Sequence, residues 1–268
     1  MIKCKCIIIF TAMIFSCLSY AQVVIKQNDF SSKNILAQIF DGEFQKEFEV
    51  QKWPVSKTQA LELASYLDAN QNAYTIIDTI ISSRIDSVNV QIVVLKTMLV
   101  DSTGWIQDCM GCPPQIGIAY FTENNGAFEL MSFHLNLLVN GHGYNIPKSR
   151  IEQIGPSKFA FVLTEEIMQD QGREYWYDMS NDFHAFLTYD YLSLILAEQS
   201  SIVENSIEIV LTENELYDFI LNTKITPTDA LDTVKASKIK PIKTKLIYNN
   251  TDMMQHVQLP FGYSIQPK

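Results

Sequence analysis

Two apolar stretches decide the fold: VQIVVLKTMLV (residues 90–100) and IGIAYFTENNGAFELMSFHLNLL (residues 116–138). The first is rich in β-branched residues and almost entirely apolar, as is typical of a buried strand. The second holds Asn124-Asn125-Gly126 between two apolar runs, which is a hairpin signal. Further strand signals follow toward the C-terminus at a spacing of roughly 10 to 15 residues. We therefore predict a mainly β fold of antiparallel meander sheets, in a sandwich- or barrel-like arrangement.

Helices are expected at two places. Ser56 and Gln59 have the spacing of a capping box, and apolar residues then recur at helical spacing, which predicts an N-terminal helix around residues 56–69. A short helix is predicted around residues 213–222, with Thr212 or Asn214 as its cap. Since no linker rich in Pro, Gly or Ser divides the chain, we expect a single β-rich domain over residues 22–268 with a small N-terminal helical portion.

Residues 1–21 have the order of a secretory signal peptide. Lys3 and Lys5 precede an apolar run from residue 6 to residue 18, and Ser19-Tyr20-Ala21 provides small residues for cleavage. We therefore expect a protein exported to the periplasm or the extracellular space. As an alternative, residues 14–17 resemble a lipobox, which would leave the protein lipid-anchored at Cys17. After residue 21 no apolar run approaches the roughly 20 residues of a transmembrane helix, so no transmembrane span is predicted.

The charge of the chain narrows the choice of partner. Without Lys3 and Lys5, 18 basic and 30 acidic residues remain, a formal charge of −12. A surface this acidic repels phosphate backbones and anionic lipids, so nucleic acid is excluded as a partner. The acidity is explained sufficiently by solubility outside the cell.

The sharpest local motif is Cys109-Met110-Gly111-Cys112, followed by Pro113-Pro114. These are the two cysteines that remain after residue 21. In an oxidising compartment they predict a local disulfide between Cys109 and Cys112. A redox-active pair is less favoured, because the prolines prevent the helix that activates a thioredoxin-like thiol. Metal binding by the two cysteines and a free thiol pair are as little favoured as the redox-active pair. We expect neither a metal site nor a cofactor.

Candidate binding residues are His142, Tyr175, Trp176 and Tyr177. His142 stands between two glycines in a predicted loop, where a rigid sheet presents binding groups. In a strand, Tyr175 and Tyr177 face one way and Trp176 the other, so one face is a candidate stacking platform. The alternative is that these aromatic side chains fill a core.

These observations favour an exported, non-catalytic β-rich protein that binds another protein or a glycan at the cell envelope. The sequence contains no nucleophile elbow, no H-E-x-x-H and no P-loop. A secreted hydrolase of envelope polymers is the alternative, with carboxylates or His142 as general base. A C-x-x-C thiol oxidoreductase is the third hypothesis. Whether the protein is an enzyme, and in which oligomeric state it exists, stays open at this point.

Overall fold

The computed structural model describes residues 23–56, 59, 72–99, 114–139, 148–168, 171–195, 201–213, 216–227, 242–248 and 253–254. The protein is mostly β, with two antiparallel sheets, one of them curled into a half-barrel. The described residues contain one α-helix, α1 (Ser32–Ile39), which follows a 3₁₀ turn at Gln27–Asp29. The predicted class, mainly β with antiparallel meanders, is confirmed.

The first sheet has seven strands: β1 (Val24–Lys26), β2 (Glu43–Gln45), β3 (Val50–Pro54), β4 (Asn72–Ile85), β5 (Val88–Leu99), β6 (Gln115–Asn124) and β7 (Ala127–Val139). Their order is β1-β7-β6-β5-β4-β3-β2. From β2 to β7 each strand pairs with the next along the chain, and β1 closes the other edge against β7. The predicted turn between β6 and β7 is present, with Asn125 and Gly126 both at positive φ.

The second sheet has eight strands: β8 (Lys148–Gly155), β9 (Lys158–Met168), β10 (Gln171–Asp178), β11 (His184–Ile195), β12 (Ser201–Val210), β13 (Asp218–Pro227), β14 (Ile242–Tyr248) and β15 (Met253–Met254). They lie in sequence order, so this sheet is an uninterrupted meander. A 3₁₀ turn at Met179–Asn181 joins β10 to β11.

Helix α1 packs against the face of the first sheet that we call its inner face. Its apolar side chains Ile35 and Leu36 are fully buried there, whereas Lys33 and Gln38 point to solvent. Phe40, which follows the helix, contacts Trp53 of β3 and Phe133 of β7, at ring-centroid distances of 4.8 and 5.7 Å. In a flat sheet β3 and β7 would be about 19 Å apart, so the sheet curves around the helix.

The second sheet bends between β11 and β12, whose pairing covers only Leu192–Ile195 of β11. Past this bend the Tyr217 amide donates to the Ile154 carbonyl of β8 at 2.8 Å. Trp176 of β10 meets Phe219 of β13 edge to face, with centroids 5.9 Å apart. The sheet thus folds over an apolar core of its own.

A third core joins the two sheets. The first sheet contributes Ile92 and Val94 of β5 and Ile116 and Ile118 of β6, and the second contributes Phe161, Leu163, Tyr177 and Phe183. These side chains lie on the face opposite α1, because neighbouring residues of a strand point to opposite faces. Each sheet therefore packs on both sides.

The prediction of a short helix around residues 213–222 is wrong, because residues 218–222 belong to strand β13. Phe219, Leu221, Thr223 and Ile225 are buried while the residues between them are more exposed, which is the two-residue period of a strand. The capping box at Ser56 is present: the Ser56 amide donates to Gln59 Oε1, and the Gln59 amide donates to Ser56 Oγ. The remainder of the helix predicted around 56–69 lies outside the described residues.

Candidate functional site

A polar cleft of about 280 Å³ opens on the first sheet. It is lined by Gln27, Ser82, Ser83, Arg84, Asn89, Gln91, Glu123 and Phe128. Apart from Phe128, each of these side chains ends in an amide, hydroxyl, guanidinium or carboxylate group. We call this set of residues the polar cleft.

The polar cleft continues the inner face of the first sheet beyond α1. Gln91 is two residues from Val93, and Glu123 two residues from Phe121, both of which belong to the core around α1. Alternation along β5 and β6 therefore places the polar side chains on the same face as that core. Ser82 and Arg84 join them from β4, because their register partners on β5 are Gln91 and Asn89.

Two tight hairpin turns lie at this end of the sheet. Asp86 and Ser87 between β4 and β5 have positive φ, as do Asn125 and Gly126 between β6 and β7. Turns of this kind match the twist of the strands that they join, which fixes the strand ends rigidly. The Gln27 amide donates to the Gly126 carbonyl at 3.1 Å and so holds the 3₁₀ turn beside the second hairpin.

Two hydrogen bonds between side chains orient the groups of the polar cleft. Asn89 Nδ2 donates to Glu123 Oε2, and Ser82 Oγ donates to Gln91 Oε1 at 2.7 Å. Each of these groups keeps further hydrogen-bonding capacity, since an amide has two N–H donors and a carboxylate has several lone pairs. The polar cleft therefore offers donors and acceptors held in place by strands, which suits a ligand with many hydroxyl groups.

A second cluster, Ser132, His134 and Asp182, lies where the sheets meet. Ser132 Oγ is 3.0 Å from His134 Nε2 and donates to Asp182 Oδ1, and His134 Nε2 is 3.2 Å from the same carboxylate oxygen. A hydrolytic triad needs the serine on one ring nitrogen and the carboxylate on the other. Here both contact Nε2, so the arrangement does not have triad geometry. The hydrogen bond from Ser132 lowers the pKa of Asp182; burial opposes this shift, and His134 adds to it, so the net pKa is lowered.

The structure separates the aromatic residues singled out in the sequence. Trp176 is 1 % exposed in the core of the second sheet, and Tyr177 is 3 % exposed between the sheets, where its hydroxyl donates to the Leu137 carbonyl. Tyr175 is half-buried and donates to Glu165 Oε2 at 3.0 Å. Burial, with the adjacent Glu165 carboxylate, raises the pKa of Tyr175 to about 12. This placement favours the core interpretation of the cluster over a stacking platform.

Trp176 also borders a buried ionic network around Glu174. The Glu174 carboxylate accepts hydrogen bonds from Arg150, Thr164, Trp176 and Tyr189. The Arg150 guanidinium lies over the Trp176 ring, 5.5 Å from its centroid. Burial raises the pKa of Glu174, but the hydrogen bonds from Arg150 and Tyr189 outweigh it, so the net pKa is lowered. All four groups that donate to the Glu174 carboxylate are side chains of this protein. We therefore infer that this network stabilises the fold.

The other predicted site residues, His142, Cys109 and Cys112, lie outside the described residues, as does Cys17. Their proposed roles stay predictions. Within the described ranges no three or more His, Cys, Asp or Glu side chains are grouped so as to hold a metal ion. The same part of the chain has no helix both long and apolar enough to cross a membrane.

Sequence reasoning missed the polar cleft, although a signal for it exists. Ser82 and Arg84 alternate on one side of Asp86-Ser87, and Asn89 and Gln91 alternate on the other. Comparison of the chain with protein-family models, with curated proteins and with solved structures finds no match in any of the three. The function must therefore be inferred from the chemistry of the site.

Proposed function

We propose that this is an exported, non-catalytic protein that binds a glycan at the cell envelope, and that the glycan occupies the polar cleft. The observation that carries this proposal is the lining of the polar cleft, where amide and hydroxyl side chains stand next to one carboxylate and one guanidinium. A glycan presents hydroxyl groups, each a donor and an acceptor, and so matches amide groups that also have both.

The rigidity of the strands supports the same proposal. Asn89 and Gln91 are on one strand, and their carbonyl or amino groups already point at fixed partners on β6 and β4. Side chains held in this way lose little conformational freedom on binding, so more of the hydrogen-bond energy appears as affinity.

A glycan suits the described surface better than a protein partner does. A stable protein interface buries about 800 Å² per partner around an apolar centre. The most exposed apolar side chains are Phe48, Met131 and Leu211, which belong to the turn before β3, to β7 and to the end of β12. Among the described residues no single strand exposes a row of large apolar side chains on one face, which leaves a protein partner little apolar surface to bury.

The export part of the proposal depends on residues 1–21. Intact-mass analysis of the protein recovered from an exporting bacterial host tests it directly. Cleavage after Ala21 should give a chain that begins at Gln22, whereas a lipid-modified chain would begin at an acylated Cys17. Recovery of the uncleaved chain would contradict export by this signal.

The binding part is tested by calorimetric titration of the mature protein with a panel of neutral and acidic oligosaccharides. We expect at least one glycan to bind, and Asn89→Ala and Gln91→Ala each to weaken it by about 5- to 10-fold, the loss expected for one hydrogen bond. Gln171→Ala is the matched control, because Gln171 is an exposed amide on β10. Binding that is equal in all three variants would remove the polar cleft as the site, and no binding by any glycan would contradict the proposal.

A further inference from the structure

Arg84 differs from the other two arginines in having no counter-ion among the residues that the structure describes. Arg150 is paired with Glu174 and Glu152, and Arg173 is paired with Asp190. The exposed Arg84 side chain makes no ion pair or hydrogen bond with any residue in the part of the chain that the structure describes. In a mature chain of formal charge −12, an unpaired guanidinium that lines a cleft is an unusual feature.

The position of Arg84 in the polar cleft separates it from Glu123. Arg84 is opposite Asn89 in the register of β4 and β5, and the Asn89 amide donates away from it, to Glu123 on β6. The backbones of β4 and β6 are about 9 to 10 Å apart, and within the described residues Arg84 and Glu123 form no ion pair. The polar cleft thus offers both a cation and an acceptor for hydroxyl groups.

We infer that the ligand of the polar cleft is a glycan with a carboxylate group, such as a uronic-acid residue, whose carboxylate binds Arg84. This inference rests on the proposed function and names the class of its ligand. The planar guanidinium presents paired N–H donors that match the two oxygens of a carboxylate. The hydroxyl groups of the same sugar then reach Gln91 and the Asn89–Glu123 pair.

The overall charge of the protein limits how acidic this ligand is. The field of a strongly negative surface opposes the approach of a densely charged polyanion. At physiological salt that field is screened beyond about 8 Å, so a single carboxylate next to Arg84 is governed by the local cation. The polar cleft therefore selects sugars with isolated carboxylates over polysulfated chains.

The test compares three probes by calorimetry: a galacturonic-acid trisaccharide, its methyl ester, and free acetate. The acid trisaccharide should bind more tightly than its ester, and Arg84→Gln should weaken its binding by about 10- to 100-fold, the range for a charge-assisted hydrogen bond. The methyl ester should be affected little by Arg84→Gln. Arg84→Lys keeps the positive charge but loses the planar guanidinium. Its affinity for the acid trisaccharide should therefore lie between those of Arg84→Gln and the wild type.

Lys46→Gln serves as the control, since it removes one positive charge from the exposed turn before β3. Equal binding of acid and ester, unchanged by Arg84→Gln, would overturn this inference and leave the proposed function intact. If acetate binds as tightly as the trisaccharide, the polar cleft is a simple carboxylate site. That result would overturn the inference that its ligand is a glycan. Absence of binding by every oligosaccharide, neutral or acidic, would instead contradict the proposed function itself.

Discussion

Phe183 shows how a single residue joins the two sheets at the expense of backbone strain. Asp182 and Phe183 have φ of +47° and +56°, a region that bulky L-residues rarely adopt. The Phe183 ring is 3 % exposed and meets Tyr120 of the first sheet and Phe161 of the second edge to face. Packing on both sides holds the strained turn in place, because the ring would become exposed if the turn relaxed.

Two substitutions at this position separate the packing from the strain. We expect Phe183→Ala to lower the free energy of unfolding by about 3–5 kcal/mol through the lost ring. Phe183→Gly should be about 1 kcal/mol more stable than Phe183→Ala, because glycine adopts positive φ without strain. Urea denaturation measures both, with Phe219 of β13 as the control position, where glycine should instead be less stable than alanine. Equal stability of the two Phe183 variants would contradict the assigned strain.

Glu174 makes stability depend on pH through its lowered pKa. A carboxyl whose pKa is lower in the folded state stabilises the fold above its unfolded pKa, and this contribution is lost as the pH falls through the folded value. We expect Glu174→Gln to destabilise the protein by about 3 kcal/mol at pH 7, the lower end for breaking a buried pair, because Arg150 is partly exposed.

The pH dependence distinguishes this charge effect from a general loss of packing. Below the ordinary Glu174 pKa of 4.5, the difference in urea midpoint between wild type and Glu174→Gln should shrink. Glu208→Gln is the control, because Glu208 pairs with Lys243 on the exposed surface and should leave the midpoint nearly unchanged. A difference that stays constant down to about pH 3 would show that the Glu174 charge is not what stabilises the fold.

At the scale of elements, apolar runs bounded by turn signals predicted most strands, and the failures of these signals have physical causes. In β13 a helical signal at residues 213–222 competed with a short alternating pattern, and pairing with β12 and β14 decides for the strand. Residues 35–40, which include the end of α1, fit either a short strand or a helical turn by sequence alone, and burial against the curved sheet decides for the helix. The turn at Asp86-Ser87 lacks glycine and so gave no clear hairpin signal.

Gly117 provides a prediction about the bulge between β6 and β7. A Cβ atom there would lie 2.6 Å from the carbonyl oxygens of His134 and Leu135, and the strand register shifts at this point. We expect Gly117→Ala to lower the free energy of unfolding by about 2–3 kcal/mol, because backbone atoms must move to admit the methyl group.

Gly126 is the control for that substitution. It has positive φ but open space around it, so Gly126→Ala should cost about 1 kcal/mol of strain alone. Thermal denaturation of the two variants measures the difference. A Gly117→Ala variant as stable as Gly126→Ala would contradict the close backbone contact.

For the whole molecule, the third core makes the sheets depend on each other. Ile118 of β6 and Phe161 of β9 are both fully buried there, so separating the sheets would expose apolar area of each. We therefore predict that the protein unfolds in one cooperative transition. The fluorescence of Trp53 in the first sheet and of Trp176 in the second, each followed in a variant that lacks the other and also lacks Trp105, should give the same midpoint. Two separated midpoints would contradict a single cooperative domain.

The site is harder to predict than the fold because its residues come from distant positions. The polar cleft combines the 3₁₀ turn at residue 27 with four strands, and their register depends on bulges that the sequence does not reveal. Conversely, Trp176 and Tyr177 form an obvious aromatic motif, yet strand alternation sends them into two different cores. The clustering of aromatic residues in the sequence therefore did not indicate which of them are exposed to solvent.

Glycan binding in the polar cleft is tested most directly by NMR mapping on isotopically labelled protein. On titration with the oligosaccharide that binds best, we expect saturable shifts in the amide signals of residues 82–91 and 123–128, with little change at residues 175–177. Shifts centred on residues 175–177, or on any surface apart from the polar cleft, would contradict the proposed site.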